Sequence, residues 1–199
     1  MLIIFSLFLK PFVMLNLLSF LGIFCGVLMI YLCFYHSIIG KIALLSNGTQ
    51  LVRLYFDTLF DENLLKTSKQ TNLKIFDESK AWLDEYFSGN LPNFMPKLAL
   101  KGSEFQLEVW KMLTLIPYAK TMTYGELAHK IALKRGLAKM SARAIGGALK
   151  KNPLPIFIPC HRIIGANSKL TGFTGGIEKK IALLKTEHID TSSLILPKK

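Results

Sequence analysis

The sequence predicts an α+β fold. Three observations carry this: strand-like apolar runs are confined to residues 30–56, helical periodicity dominates beyond residue 100, and a proline-rich stretch around Cys160 interrupts that periodicity. The expected order is a small α/β domain over residues 29–100, then a mainly helical, helix-turn-helix-like domain over residues 101–190, with residues 191–199 as a flexible tail.

Residues 11–35 carry no charge and are rich in Leu, Phe and Ile. Such a run is long enough to span a bilayer, which takes about 20 apolar residues. It also suits an uncleaved signal sequence, with Lys10 ahead of it and no Ala-x-Ala site. A third reading is translation from Met29, because Met29-Ile30-Tyr31-Leu32-Cys33-Phe34-Tyr35-His36 already reads as a first strand. Residues 1–28 are therefore expected to be an apolar extension, either transmembrane or the product of a misassigned start. The protein is expected in the cytoplasm, or anchored at its N-terminus with the rest on the cytoplasmic side.

Residues 30–36, 41–46 and 49–56 read as strands, and Asn47-Gly48 between the last two favours a type I′ hairpin. A polar stretch, residues 58–71, follows. Leu73, Phe76, Leu83 and Phe87 then fall at helical spacing, with Thr71 or Asn72 as cap and Gly89 and Pro92 as the stop. Residues 90–102 carry two prolines and read as a linker. Ser103-Glu104-Phe105-Gln106 and Thr123-Tyr124-Gly125-Glu126 fit capping boxes, each opening a helix. Phe105, Val109, Trp110 and Leu113 give the first of these its apolar face. Ser141 caps a third helix from Ala142, in which Ala142, Ala144, Gly146, Gly147 and Ala148 leave almost no side chain beside Arg143. Two adjacent glycines cost about 1 kcal/mol each against alanine. The compensation is close approach, either to another helix or to a nucleic-acid backbone. Ile177, Ile181 and Leu184 mark a last amphipathic helix, with Glu187 near its end.

Charge narrows the function. The net charge is +12, but residues 29–96 hold six Lys/Arg against seven Asp/Glu, whereas residues 97–162 hold twelve against three. A basic excess concentrated around a helix pair points to a polyanionic partner, DNA in particular. Three scattered cysteines, Cys25, Cys33 and Cys160, make no disulfide framework, and no ligand spacing for zinc is present.

The chemistry sits in Asn152-Pro153-Leu154-Pro155-Ile156-Phe157-Ile158-Pro159-Cys160-His161-Arg162. Three prolines exclude a long helix here. Ile156, Phe157 and Ile158 should bury its approach, placing Cys160 on a stiff, partly buried loop beside an imidazole. Downstream, Gly172-Phe173-Thr174-Gly175-Gly176 is a tight loop able to line a pocket with backbone amides and the Thr174 hydroxyl.

In this order the pieces resemble the O6-alkylguanine-DNA alkyltransferases. The match rests on Pro159-Cys160-His161-Arg162-Ile163-Ile164-Gly165, Ala142-Arg143-Ala144-Ile145-Gly146-Gly147-Ala148, Asn152-Pro153 and Gly175-Gly176. It is strong over residues 103–188, rests on the order of elements over 30–100, and does not include 1–28. The resemblance implies a ribonuclease H-like N-terminal domain and a winged-helix-type domain carrying the reactive cysteine. It implies transfer of a methyl or larger alkyl group from O6 of guanine, and possible extension to O4 of thymine, in duplex DNA to Cys160, irreversibly and once per molecule, without cofactor or metal. A monomer is expected.

The same resemblance assigns roles. His161 takes the thiol proton through a water and Glu187 orients it; Tyr124 donates to the purine ring. Thr174, with nearby amides and Gly175, holds O6, while Phe173 stands where tyrosine is frequent and brings no hydroxyl. Arg143 fills the stack vacated by the flipped base, with Ala142 and Gly146 letting its helix enter the minor groove. Asn152 joins that helix to the cysteine loop, and Lys134, Arg135, Lys139, Lys150 and Lys151 meet phosphates. The competing expectations are a lesion-binding protein without transfer, which Cys160 argues against, and a membrane-tethered DNA-binding regulator, which leaves the Pro-Cys-His-Arg run unexplained.

Overall fold

The computed structural model describes residues 29–60 and 62–196. The expected apolar extension, residues 1–28, lies outside them. Among the described residues no helix is long and apolar enough to cross a membrane.

The first sheet is built from β1 (Tyr31–Ser37), β2 (Gly40–Ser46), β3 (Leu51–Phe56) and the two-residue β4 (Lys69–Gln70), in the order β3-β2-β1-β4, with β2 buried on both faces. The first three pair antiparallel, and β4 runs parallel to β1. Ile42, Leu44, Leu54 and Phe56 face the main core, while Leu32, Ala43 and Leu45 form a smaller cluster on the opposite face. A 3-10 turn (Asp57–Leu59) and α1 (Glu62–Thr67) connect β3 to β4, across the stretch that the sequence showed only as polar.

Three local expectations change. The type I′ turn does not form: Gly48 has φ +110°, but Asn47 is not among the described residues with positive φ. Asn47 Oδ1 instead accepts from the amides of Thr49 and Gln50, and the ladder shifts at Leu45/Ser46, giving a longer loop. The helix α2 (Lys74–Phe87) starts at Leu73 without a side-chain cap, so neither Thr71 nor Asn72 serves. The expected linker is structured where it meets the sheet, because the Leu51 amide donates to Lys97 O and the Ala99 amide to Leu51 O.

The second half is helical. Both capping boxes form, opening α3 (Glu104–Leu113) and α4 (Tyr124–Lys134), and Ser141 caps α5 (Ala142–Lys150). A 3-10 turn (Cys160–Arg162) leads into β6 (Ile163–Ile164), which pairs parallel with β5 (Met122–Thr123), and α6 (Ile177–Thr186) follows. Trp110 Nε1 donates to Ala148 O at 2.9 Å, locking α3 onto α5. The tail expected to be flexible is held as far as Ile195, whose backbone bonds Ser168 and Leu170, while Leu194 packs on Ile164, Leu170 and Leu184.

One core runs through both halves. Phe56, Phe76, Trp82 and Tyr86 share it with Trp110, Leu127, Phe157, Ile163 and Leu183. The cysteine stretch is fastened to the first half twice: the Leu54 amide of β3 donates to Pro153 O at 2.8 Å, and the Trp82 ring of α2 lies 4.7 Å from that of Phe157. The scaffold of the first half therefore supports the loop that carries the chemistry.

Candidate active site

The loop reaches Cys160 through a backbone that few residues tolerate. Ile156 has φ +77°, an outlier for a β-branched side chain, and it is buried. Asn152 holds the turn closed: its Nδ2 donates to Ile158 O at 2.9 Å and to Cys160 Sγ at 3.1 Å, and its Oδ1 accepts from the Leu154 amide at 3.0 Å. Cys160 opens the 3-10 turn and is 5% exposed, more buried than the sequence suggested.

The next two residues converge on the end of α6. Glu187 is fully buried, yet its carboxylate is saturated with donors. Oε1 meets His161 Nε2 at 2.6 Å and accepts from Tyr86 Oη at 2.8 Å and Arg162 Nη2 at 3.0 Å. Oε2 accepts from Arg162 Nε at 2.8 Å and from the Ala119 amide at 3.3 Å. A carboxylate facing His161 Nε2 selects the tautomer with a proton on that nitrogen, and leaves Nδ1 as the base. Nδ1 is itself buried and has no hydrogen-bond partner among the described residues.

Electrostatics follow the geometry. Burial would raise the Glu187 carboxyl, but the hydrogen bonds of His161 and Arg162 and the guanidinium charge outweigh it and bring it down to about 2. Burial lowers His161 against the pull of Glu187, so the imidazole is neutral and the carboxylate carries the charge. Burial pushes the Cys160 thiol up to about 11, and the Asn152 hydrogen bond and the charge of Lys180 only partly offset it. The resting cysteine is thus a thiol that needs a base.

Lys180 is a residue that the sequence reading missed. It is 1% exposed, donates to Ile163 O, and lies 3.5 Å from Thr171 Oγ1. Burial brings its ammonium down to about 8. Its position was a clue: three residues after Ile177 and four before Leu184, it falls on the apolar stripe of α6.

A cleft of about 500 Å³ opens over the sulfur, lined by Tyr124, Gly146, Lys150, Cys160, Phe173, Thr174 and their neighbours. Tyr124 Oη accepts from Thr171 Oγ1 at 3.1 Å. Gly175 lies behind the wall: a Cβ there would stand 2.7 Å from the Phe56 ring, which also meets the Phe173 ring at 5.6 Å. Leu59, from the turn after β3, completes the lining, so both halves of the chain contribute. A groove of about 620 Å³ between α3 and α4 is larger, but its lining holds no nucleophile.

Beside the cleft, α5 presents Ala142, Arg143 and Gly147 to solvent, and Lys139 lies at its approach with His129 and Ser141. Arg135 is not brought to this face as a free cation: its Nε bonds Glu108 Oε2 at 2.5 Å and its guanidinium lies over Phe105, while Lys134 pairs with the same carboxylate.

Comparison with known proteins was made against this geometry. The family model described as 6-O-methylguanine DNA methyltransferase, ribonuclease-like domain, matches residues 30–100, and the DNA binding domain of the same family matches residues 104–189. The methylated-DNA–protein-cysteine methyltransferase of Methanosarcina acetivorans is 40% identical over 79% of this chain and 97% of its own length. That of Mycobacterium leprae is 38% identical over 80% and 94%. The crystal structure of the Mycobacterium tuberculosis O6-methylguanine methyltransferase superposes with a TM-score of 0.70 at 38% identity, covering 80% of this chain and 93% of that one. The same organism's OGT in complex with DNA gives 0.69 at 36% identity, over 82% and 94%.

Proposed function

The chain belongs to the methylated-DNA–protein-cysteine methyltransferase family, and from that premise we propose how its own residues carry out the transfer. The enzyme repairs alkylated DNA by moving an alkyl group from O6 of guanine to its own cysteine, one turnover per molecule. The observation that carries the assignment of residues is the juxtaposition of Cys160, at the floor of the cleft, with the buried His161–Glu187 pair.

Cys160 is the acceptor. A thiol this buried is a poor nucleophile, so His161 Nδ1 takes its proton through a water, and Glu187 holds the imidazole by Nε2. The sulfur then bonds the alkyl carbon as the carbon–O6 bond breaks. The electron pair passes into the guanine ring, which takes a proton from Tyr124. Thr171 lies behind that phenol and Lys180 behind Thr171, a line along which the proton is replaced. Thr174 and the amides near Gly175 bind O6, and Phe173 packs against the base. The product is a thioether, with no second thiol beside it among the described residues to clear it.

Duplex DNA meets α5 along its minor groove. Ala142 and Gly146 permit close approach, Arg143 occupies the space left by the flipped nucleotide, and Asn152 couples that helix to the cysteine loop. Lys139 contacts phosphate, whereas Arg135, tied to Glu108, contributes less than the sequence suggested. All of these groups come from one chain, so a monomer suffices.

The test is intact-protein mass after incubation with a duplex carrying one O6-methylguanine. A gain of one methyl group, mapped to Cys160 by digestion, is expected; tight lesion binding without any gain would replace transfer with damage recognition. Arg143→Ala separates flipping from chemistry. Extrusion costs a few kcal/mol, so the variant should react about tenfold or more slowly with duplex, yet nearly normally with free O6-benzylguanine. Equal losses on both would remove Arg143 from the flipping role.

A further inference from the structure

Tyr86 belongs to α2, in the first half of the chain, and none of the roles above uses it. It is 1% exposed, so burying a phenol here requires a partner. The hydroxyl finds two. It donates to Glu187 Oε1 at 2.8 Å, the same oxygen that faces His161, and its own oxygen lies 3.3 Å from His161 Nε2. The ring is held in register by stacking on Trp82 at 5.3 Å and by edge contacts with Phe87 at 5.4 Å and Tyr118 at 6.4 Å.

Resting on the reading of Cys160 and His161 given above, we propose that Tyr86 is a positioning residue: by donating to the Glu187 oxygen that faces His161, its hydroxyl sets the basicity of Nδ1. As donor, the phenol withdraws charge from the carboxylate oxygen that polarises the imidazole, and so weakens the base. The phenol itself stays protonated, because burial and the neighbouring Glu187 charge push its pKa well above the ordinary value.

The surroundings of His161 show why this contact decides the matter. Arg162, on its own turn, and Lys180, from α6, disfavour the imidazolium; Glu187, at the end of α6, favours it; Cys160 precedes it. Tyr118, from the loop after α3, lies across Tyr86 and donates to Thr186 O, one residue before Glu187. Tyr86 is the group from the N-terminal half that hydrogen-bonds this cluster. The N-terminal half is therefore part of the catalytic apparatus, tuning a base that sits in the other half.

Tyr86→Phe keeps the ring and removes only the hydroxyl. Imidazole 15N shifts across a pH titration report the tautomer and pKa of His161 directly, whether or not alkyl transfer occurs. In the variant the His161 pKa should rise by about half a unit, the size of one neutral hydrogen bond converted at 1.36 kcal/mol per unit, because Glu187 regains the charge that the phenol withdrew. The acid limb of Cys160 alkylation by O6-benzylguanine should move up with it. An unchanged titration, with only a lower melting temperature, would overturn the proposal. Should the variant fold poorly, 3-fluorotyrosine, a stronger donor of the same shape, serves instead: His161 should then titrate lower, and an unshifted titration would again overturn it. A wild-type chain that gains no methyl would sink the transfer reading and leave this result standing.

Discussion

Cys160→Ser is expected to abolish the methyl gain while leaving the fold and lesion binding in place. The hydroxyl is smaller than the thiol but can keep the Asn152 contact, so the stability cost should stay near 1 kcal/mol. The chemistry has no such tolerance. His161 can accept a proton from a thiol, even one held near 11, because sulfur carries the resulting charge well. A serine hydroxyl is several units less acidic, and the same neutral imidazole cannot ionise it. Intact mass should show no gain after prolonged incubation with O6-methylguanine duplex, while the fluorescence anisotropy of a labelled duplex should show binding. A methyl group appearing on the variant would place the acceptor elsewhere. Cys160→Ala is the less informative change, since it also leaves one of the two Asn152 Nδ2 hydrogens without its partner in a buried site.

Glu187→Gln should be the most damaging substitution to fold and reaction together. The carboxylate balances Arg162 inside a fully buried cluster, and breaking a buried pair from one side costs about 3–5 kcal/mol. The amide is nearly isosteric, but its nitrogen is a donor facing other donors: the Ala119 amide and Arg162 Nε on one side, or Tyr86 and His161 on the other. The loss should appear as a lower denaturant midpoint at unchanged slope. Reaction with O6-benzylguanine should fall even at temperatures where the variant is folded. A midpoint equal to wild type would show that the cluster adds nothing to stability. The pH dependence has a definite sign. The folded carboxyl titrates at about 2, below its ordinary 4.5. Its contribution is thus fully present above 4.5 and is lost as pH falls towards 2, a limb that Glu187→Gln should flatten.

How much of this was legible depends on range along the chain. Ser103/Gln106 and Thr123/Glu126 were readable because a capping box is settled within four residues. Cys160-His161 was readable because the motif is contiguous, and Glu187 and Tyr124 because the family resemblance extends to their neighbourhoods. Tyr86 was not, since its partners lie 75 and 101 positions away and its neighbours spell an ordinary amphipathic helix. β4 escaped because two polar residues paired to an edge carry no periodicity. Asn47-Gly48 misled because hydrogen bonding by the Asn47 side chain competes with the turn that the dipeptide favours. The pairing of Arg135 with Glu108 was not legible because charge counts do not show which cations already have an acidic neighbour.

Asn152 leaves the Cys160 sulfur in a snug box, with 5% of the residue in contact with solvent and one hydrogen bond that a thioether accepts poorly. Every successful repair leaves a carbon on that sulfur, where the cleft meets the packed loop. Overpacking a well-filled interior costs about 1–3 kcal/mol, a large part of what keeps a domain folded. The spent molecule is therefore expected to unfold at a lower denaturant midpoint than the one still able to act, which titration before and after reaction with O6-benzylguanine would check. Ageing, for this protein, is counted in lesions removed.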